Sequence, residues 1–343
     1  MERLRRLVRR FRRVYSAPSK RIPELHIEQM KTTPLFAAPP RPIFIIGAPR
    51  SGTSITNWAL GQHPNLQPMP ETAWIAALSV GVQSAYYIGS ERGRYSHLSN
   101  VALPPEPFFR RIGEAVDHIV HDVFDERCAR VYGDGRNKER LIEQVPSQPS
   151  PEMKLRRHSS DPKARWVDAT PLNSKFVWGL AMMFPEAKFI HNIREPHQVV
   201  ASLSNFEAAG GVSLGIADGI QTWLDHVYAC YTAQKALGSN RVLTVRYNQL
   251  LSDPRGFLES ILNFAGEPWS DDCLTVVENK INSSNVDRER SRVLAMISSN
   301  PAYVRAKELY DEVISGTNCA PEAEASREIE RLFQEISAQH RLI

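Results

Sequence analysis

The chain has 343 residues, 42% of them hydrophobic and 23% charged, which is enough apolar sequence to bury a large core. Residues 1–14 contain seven arginines and one glutamate, and together they carry more positive charge than the net +4 of the whole chain. The remainder therefore has a net charge of about −2, which excludes a broadly basic surface for nucleic acid. The four cysteines are widely spaced, which excludes a disulfide framework and a zinc motif and predicts a cytoplasmic protein with reduced thiols. The sequence has no apolar run of about 18 residues, so no membrane-spanning helix is expected.

The first 42 residues predict a segment that precedes the main domain. Residues 1–15 place apolar side chains at helical spacing with arginines on the other face, the pattern of a basic amphipathic helix. Such a helix could contact an anionic membrane surface peripherally or pack on its own domain, and the pattern leaves both open. Residues 16–42 hold six prolines and predict an extended connector to a single domain at 43–343.

A phosphate-binding turn is predicted where the first strand ends. Residues 43–46 form an apolar run typical of a buried parallel strand, and Gly47 and Gly52 have the spacing of a P-loop. Thr53 stands where a nucleoside triphosphatase carries lysine, and the cation of the loop is Arg50 instead. A guanidinium favours an anion bound without Mg²⁺, although a glycine turn that only joins a strand to a helix also fits this spacing. The hydroxyl donors of the loop are Ser51, Thr53 and Ser54.

The sequence Pro-Arg-Ser-Gly-Thr at residues 49–53 resembles the 5′-phosphosulfate loop of the sulfotransferase family. The resemblance implies that the co-substrate is 3′-phosphoadenosine-5′-phosphosulfate and that no metal is required. It also implies transfer of the sulfuryl group to a hydroxyl on a small metabolite, a lipid or a sugar. The loop residues that would bind this donor are Arg50, Ser51, Gly52, Thr53 and Ser54.

Glu71 is the candidate general base. It follows Arg50 by 21 residues, a distance that allows one helix at 55–60 and a loop at 65–70 to return the chain to the phosphate turn. A glutamate just before a helix is also favoured by the helix dipole alone, so spacing leaves both roles open. The order of helix, His-Pro and Glu-Thr resembles tyrosylprotein sulfotransferases, which implies that Glu71 is catalytic, that Arg50 stabilises charge, and that His63 is a turn residue.

The rest of the chain alternates strands and helices. Strands are predicted at 165–168, 188–194 and 241–247, with a helix at 173–184 and another that begins at Pro196. This order predicts an α/β fold, with a P-loop-like parallel sheet covered by helices on both faces. Residues 79–163 contain no recognisable motif; a helix at 108–131 and an exposed loop or flap at 133–161 are predicted within this acceptor-side insertion.

A second phosphate-binding element is predicted at residues 189–203. Arg194 ends a strand and Ser202 lies two helical turns further, so both side chains can approach one phosphate. The sequence resembles the element of the sulfotransferase family that binds the 3′-phosphate. Tyrosylprotein sulfotransferases add an arginine four residues after the serine, where this chain has Phe206. Tyr247 lies at the family's donor-contact position, although a tyrosine in a strand is also a common core residue.

Other features leave questions open. Many relatives have Glu-Lys-Thr-Pro where this chain has Asp168-Ala169-Thr170-Pro171, so the leaving-group lysine is replaced by Ala169; Arg50 or Lys175 could compensate, or turnover could be slow. Residues 279–320 could close over the nucleotide as a lid or form a solvated loop. The alternative functions are a P-loop kinase or nucleotide hydrolase, which the missing loop lysine disfavours, and a nucleotide-binding scaffold without catalysis.

Overall fold

The computed structural model describes residues 39–132, 141–144, 154–157, 161–209, 212–278, 289–316 and 320–339. The strands are β1 (Ile43–Ile46), β2 (Leu66–Pro68), β3 (Leu141–Gln144), β4 (Lys154–Arg157), β5 (Arg165–Asp168), β6 (Lys188–Ile193) and β7 (Val242–Arg246). Five of them form one sheet in the order β2-β5-β1-β6-β7, and every neighbouring pair is parallel. The predicted P-loop-like parallel sheet is therefore confirmed, with β1 at its centre.

Helices connect these strands. The first six are α1 (Thr53–Gly61), α2 (Ala73–Ser90), α3 (His97–Asn100), α4 (Pro105–Tyr132), α5 (Val177–Met183) and α6 (Pro196–Ser204). The remaining ones are α7 (Ile216–Leu237), α8 (Tyr247–Ser252), α9 (Pro254–Ala265), α10 (Thr275–Glu278), α11 (Glu289–Ser298), α12 (Pro301–Ser315) and α13 (Ala323–Gln339). Short 3₁₀ turns lie at Gly93–Tyr95, Pro171–Lys175, Phe206–Ala209 and Asp271–Leu274.

The central strand β1 divides the core into two layers, because successive side chains of a strand point to opposite faces. Phe44 and Ile46 pack in a cluster with side chains of α2, α4 and α5, including Phe109 and Leu180. Ile43 and Ile45 pack in another cluster with α1 and α9. All four β1 side chains are fully buried, and burial of each contributes about 1.5–3 kcal/mol. Helices thus cover both faces, as the sequence predicted.

Two segments differ from the prediction. Residues 66–68 were expected to lie in a loop but form the edge strand β2, which pairs with β5 through Leu66 and Arg165. Pro68 ends this strand, and an edge position tolerates a proline because no further strand needs its N–H. Residues 133–161 were expected to be a loop, yet β3 and β4 pair within them as an antiparallel hairpin. Only these two strands of that segment lie within the described residues.

Part of the region assigned to an acceptor-side insertion belongs to the core. Val82 of α2 and Phe109, Val116 and Val120 of α4 are buried in the same cluster as Phe44. Helices α2 and α4 therefore support the sheet, and a role in shaping an acceptor pocket remains a prediction for the rest of 79–163. The basic segment at 1–15 and most of the connector lie outside the described residues.

The region proposed as a lid contains α11 and α12, while 279–288 and 317–319 lie outside the described residues. Both helices pack on α6, and their buried side chains Ile297 and Ala306 join a cluster with Ala48 of the loop and Val199 of α6. Closure over a nucleotide remains a prediction. Across the part of the chain that the structure describes, none of the helices combines the length and the apolar character required to cross a membrane.

Candidate functional site

Two glycines shape the turn between β1 and α1. Gly47 has a φ of 149°, and a Cβ at this position would lie 2.4 Å from the carbonyl oxygen of Asn192 in β6. Gly52 has a φ of 93°, and a Cβ there would lie 2.3 Å from the ring of Tyr247. Both distances are shorter than any tolerated contact, so neither position accepts a side chain. The turn is therefore held tightly against the carboxyl ends of β6 and β7.

The amino terminus of α1 presents donors without partners. No side chain caps this helix, since its N-cap residue is Gly52. The first N–H groups of a helix lack acceptors within the helix and, with the helix dipole, favour an anion. Ser51 is fully buried, and its hydroxyl has no hydrogen bond within the described part of the chain. Thr53 is buried and Ser54 is exposed at the first turn. This set of donors fits the predicted phosphate.

Arg50 is fixed at both its backbone and its side chain. Its φ of 68° is left-handed, which is uncommon for a residue other than glycine. Its Nε donates to Ser202 Oγ at 3.0 Å, and its guanidinium lies 4.7 Å from the ring centre of Phe206. Partial burial lowers the pKa of Arg50, an effect that Tyr247 opposes, and the guanidinium stays charged. Its terminal nitrogens have no partner among the described residues, so both can donate to an anion.

Arg194 closes the other side of the turn. Its Nη1 donates to the carbonyl oxygen of Arg50 at 3.0 Å, and its Nε donates to Oε1 of Gln198 at 2.9 Å. Its guanidinium lies 4.3 Å from the ring centre of Tyr247, the same ring that covers Gly52. The structure thus brings four predicted donor-binding residues into one contact network: Arg50, Arg194, Ser202 and Tyr247.

A buried polar network lies at the end of β5. The carboxylate of Asp168 is fully buried and accepts hydrogen bonds from the backbone N–H of Thr170 at 2.9 Å and from its hydroxyl at 2.6 Å. It also accepts from Nδ2 of Asn173 at 2.7 Å and from the hydroxyl of Thr72. In the sequence alone, Asp168 is notable only as part of a departure from the family pattern. Its role as an anchor depends on a contact between residues 72 and 168 that spacing does not reveal.

The network places Glu71 at the carboxyl edge of the sheet. The backbone N–H of Thr72 donates to Oγ1 of Thr170 at 2.7 Å, which fixes the residue next to Glu71 on the end of β5. Glu71 itself is exposed, and no hydrogen bond or ion pair engages its carboxylate within the described part of the chain. A carboxylate that is exposed but attached to a rigid anchor is able to accept a proton from a bound molecule.

Lys175 follows Ser174, which contacts the loop, and the ammonium of Lys175 pairs with an aspartate. Ser174 accepts a hydrogen bond from the backbone N–H of Gly47 at 2.9 Å, so this 3₁₀ turn lies directly beneath the loop. The Nζ of Lys175 lies 3.8 Å from a carboxylate oxygen of Asp225 in α7. Compensation by Lys175 therefore remains a prediction, and Ala169 is buried with no charge to offer.

The fold and the site together define an α/β protein with a P-loop-like turn that carries an arginine and the uncapped N–H groups of a helix. A sequence model described as "Sulfotransferase family" matches residues 42–271. The chain belongs to the sulfotransferase family. Members of this family generally use 3′-phosphoadenosine-5′-phosphosulfate as the sulfuryl donor.

Curated relatives agree with this assignment. The chain is 24% identical over 265 residues to "Protein-tyrosine sulfotransferase" of Drosophila melanogaster, with 75% of this chain and 45% of that protein covered. It is 25% identical over 263 residues to "Protein-tyrosine sulfotransferase 1" of Danio rerio, with 75% and 63% covered. An uncharacterized protein of Aquifex aeolicus (strain VF5) is 26% identical over 247 residues, covering 70% and 27%. The chain spans less than two thirds of the length of each of these relatives.

Solved structures of sulfotransferases are also similar. The sulfotransferase domain of the olefin synthase of Synechococcus PCC 7002 matches 88% of this chain and 97% of that domain, with 19% identity and a TM-score of 0.41. A sulfotransferase of Mycobacterium avium matches 83% of this chain and 79% of that protein, with 14% identity and a TM-score of 0.45.

Proposed function

We propose that this protein transfers the sulfuryl group of 3′-phosphoadenosine-5′-phosphosulfate to a hydroxyl acceptor. The observation that carries the proposal is the position of Arg50, whose terminal nitrogens have no partner among the described residues and which lies beside an uncapped helix terminus. These groups complement a doubly charged phosphosulfate better than a neutral ligand. Family membership supports the same reaction.

The residues present fit both ends of the donor. The turn between Gly47 and Gly52 would hold the 5′-phosphosulfate, with Arg50, Ser51 and the first N–H groups of α1 as donors. Arg194 and Ser202 would hold the 3′-phosphate. In the structure Ser202 is bonded to Arg50, and Arg194 is bonded to the carbonyl oxygen of Arg50, so the two predicted subsites are in direct contact.

The proposed mechanism assigns one role to each half of the site. When bound, the donor supplies an activated sulfuryl group. Glu71 takes the proton of the acceptor hydroxyl as its oxygen forms the new bond to sulfur. Arg50 and the N–H groups of α1 stabilise the negative charge that develops on the phosphate oxygen as the old sulfur–oxygen bond breaks. Because Ala169 carries no charge and Lys175 pairs with Asp225, Arg50 is the principal cation for this step.

The acceptor is proposed to be an alcohol or phenol with an apolar part. Trp74 is 45% exposed and Leu172 is 39% exposed, and each follows a residue of the bonded pair Thr72 and Thr170 by two positions. Large exposed apolar side chains close in sequence to these two threonines offer apolar surface that the acceptor would cover. Trp74→Ala should raise the KM for such an acceptor and leave donor affinity unchanged.

Two rival functions make different predictions. A kinase or nucleotide hydrolase needs the loop lysine that Thr53 replaces, and the family assignment argues against it. A scaffold without catalysis would bind the nucleotide but would not transfer the sulfuryl group. A cytoplasmic location remains a proposal; free thiols such as those of Cys230 and Cys273 are typical of that compartment.

The experiment that tests the function is a transfer assay with the full chain. The protein is incubated with the sulfuryl donor and a panel of alcohols, phenols, sterols and sugars, and mass spectrometry detects acceptors that gain one sulfuryl group. Transfer that proceeds in the presence of a chelator supports the proposal. A protein that binds the donor but sulfates no acceptor in the panel or in a cell extract would be a scaffold.

A further inference from the structure

Phe206 contacts the cation of the phosphate loop. Its ring centre lies 4.7 Å from the guanidinium carbon of Arg50, within the range of a cation–π interaction. Ser202, four residues earlier, accepts the hydrogen bond of Arg50 Nε at 3.0 Å. The end of α6 and the turn after it thus contact one guanidinium at two points, its Nε and its central carbon.

This arrangement determines which atoms of Arg50 face a ligand. The hydrogen bond to Ser202 occupies Nε, and the central carbon of the guanidinium lies over the ring of Phe206. The carbonyl oxygen of Arg50 is bound by Arg194 at 3.0 Å, which fixes the backbone. The two terminal nitrogens are the donors that remain, and they form the planar fork that matches a phosphate or sulfate in two parallel hydrogen bonds.

We propose that Phe206 is a positioning residue for the transfer reaction, holding the guanidinium of Arg50 through its ring face so that both terminal nitrogens point at the 5′-phosphosulfate. This inference rests on the proposed function. A long arginine side chain loses rotational freedom when it binds a ligand, and a side chain that is already held loses less. Phe206 therefore improves donor binding and transfer without touching the donor.

The identity of the side chain matters at this position. The sequence resemblance places an arginine here in tyrosylprotein sulfotransferases, and a second cation next to Arg50 would either repel it or bind the 3′-phosphate itself. A phenylalanine does neither, because the negative face of its ring attracts a cation that is already present. With phenylalanine at position 206, Arg194 and Ser202 bind the 3′-phosphate, and residue 206 supports Arg50.

The first part of the test compares Phe206→Leu, which keeps an apolar side chain but loses the ring, with Phe206→Trp, which keeps it. Calorimetry with the full chain measures affinity for adenosine 3′,5′-bisphosphate and for adenosine 5′-phosphate. Because Arg50 contacts the 5′ end of the donor, Phe206→Leu should lower the affinity for both nucleotides by the same factor, about 3- to 30-fold. Phe206→Trp should keep much of the wild-type affinity, because it keeps an aromatic ring. The same loss should appear in kcat/KM.

A matched control lies at the opposite end of the strands, where β6 begins. Lys188, at the start of β6, lies 4.8 Å from the ring centre of Phe264, a cation–π contact of nearly the same length. Phe264→Leu removes this contact without altering the loop and should leave both affinities unchanged. Because Phe206→Leu could also disturb folding, phenylalanines with increasing fluorination at position 206 provide a second series that keeps the shape and weakens only the ring's attraction for a cation.

The outcomes separate this inference from the proposed function. Affinity that falls stepwise with fluorination supports the role of Phe206. Wild-type affinity in Phe206→Leu, or affinity that does not change across the fluorinated series, overturns that role and leaves the sulfotransferase assignment intact. A wild-type chain that binds no adenosine 3′,5′-bisphosphate overturns the proposed function, and this inference fails with it.

Discussion

The two halves of the candidate site are built in different ways. The donor half consists of Arg50, Arg194, Ser202 and Phe206, whose side chains are partly buried. Ser202 and Phe206 contact the guanidinium of Arg50, and Arg194 donates to the carbonyl oxygen of Arg50. The base half depends on Asp168, which is fully buried and bonded on both carboxylate oxygens. Among Glu71 and the network residues Thr72, Asp168, Thr170 and Asn173, all within the described part of the chain, only Glu71 is exposed.

This difference follows from what each half has to do. A highly charged donor binds well to a cation that is already held in place and still has N–H groups to offer, and Arg50, held by Ser202 and Arg194, is of that kind. A general base must be held in place in the free protein, and a satisfied network inaccessible to a ligand provides this rigidity. Loss of a donor-half residue should therefore change affinity, while loss of the base should change rate and loss of its anchor should change stability.

The largest expected effect is on Glu71. Glu71→Gln keeps the size of the side chain but cannot accept the proton, so kcat should fall by about 10²–10⁴ while donor affinity is unchanged. Glu91→Gln, at the other end of α2, is the matched control and should show normal turnover. Steady-state kinetics and calorimetry on both variants measure the separation. Near-normal turnover in Glu71→Gln would remove this residue from the mechanism.

The anchor of the base half should show the next largest effect, and it should appear as stability. Asp168→Asn turns an NH₂ group toward two hydrogen-bond donors, and the loss should be about 2–4 kcal/mol of the free energy of unfolding. Asp253→Asn is the control, since Asp253 caps α9 by accepting from Gly256 and asparagine caps a helix equally well. Urea denaturation compares the two, and equal stability would mean that the network is not an anchor.

Arg194 tests the donor half. Arg194→Ala should weaken adenosine 3′,5′-bisphosphate by about 1.5–3 kcal/mol, the value of a charge-assisted hydrogen bond. Adenosine 5′-phosphate lacks the 3′ group and should be affected much less. Arg255→Ala removes another stacked arginine, 4.7 Å from the ring centre of Trp269 and outside the site, and should change neither affinity. If Arg194→Ala weakens both nucleotides equally, Arg194 does not recognise the 3′-phosphate.

The smallest effect near neutral pH concerns two buried histidines beneath the site. Burial lowers the pKa of His191 to about 3, and burial together with the nearby Lys175 lowers the pKa of His226 to about 4, while Asp225 opposes the shift. Both have an ordinary pKa of about 6.5 when the chain is unfolded, so the unfolded state binds more protons below that pH. The contribution of the two neutral histidines to the free energy of unfolding is fully present above about pH 6.5 and is lost as the pH falls.

Each buried histidine should remove up to about 1.4 kcal/mol per pH unit between pH 6.5 and 5. Urea denaturation at a series of pH values measures this slope. His191→Asn should flatten part of it, because the uncharged amide does not titrate. A free energy of unfolding that is constant between pH 7 and 5 would contradict the burial of these rings.

Much of the sheet and the loop after β1 could be predicted from local sequence, because these strands and turns carry strong local patterns. A short stretch of sequence is enough to recognise the run at 43–46, the glycines of the loop, and the pair Arg194 and Ser202. The strand β2 did not, since three residues that end in Pro68 carry too weak a pattern. The contacts from Asp168 to Thr72 and from Phe206 to Arg50 span about a hundred residues or more, and only the folded chain shows them.

The central claim is that the loop and the pair at 194 and 202 recognise a nucleotide with both a 5′ and a 3′ phosphate and without a metal. Calorimetric titration of the full chain in the presence of a chelator, with adenosine 3′,5′-bisphosphate and then with ATP, tests this claim most directly. The account predicts clear binding of the bisphosphate and at least about tenfold weaker binding of ATP, since one missing charge-assisted contact costs about that factor. Equal affinity for the two, or binding only when Mg²⁺ is present, would contradict it.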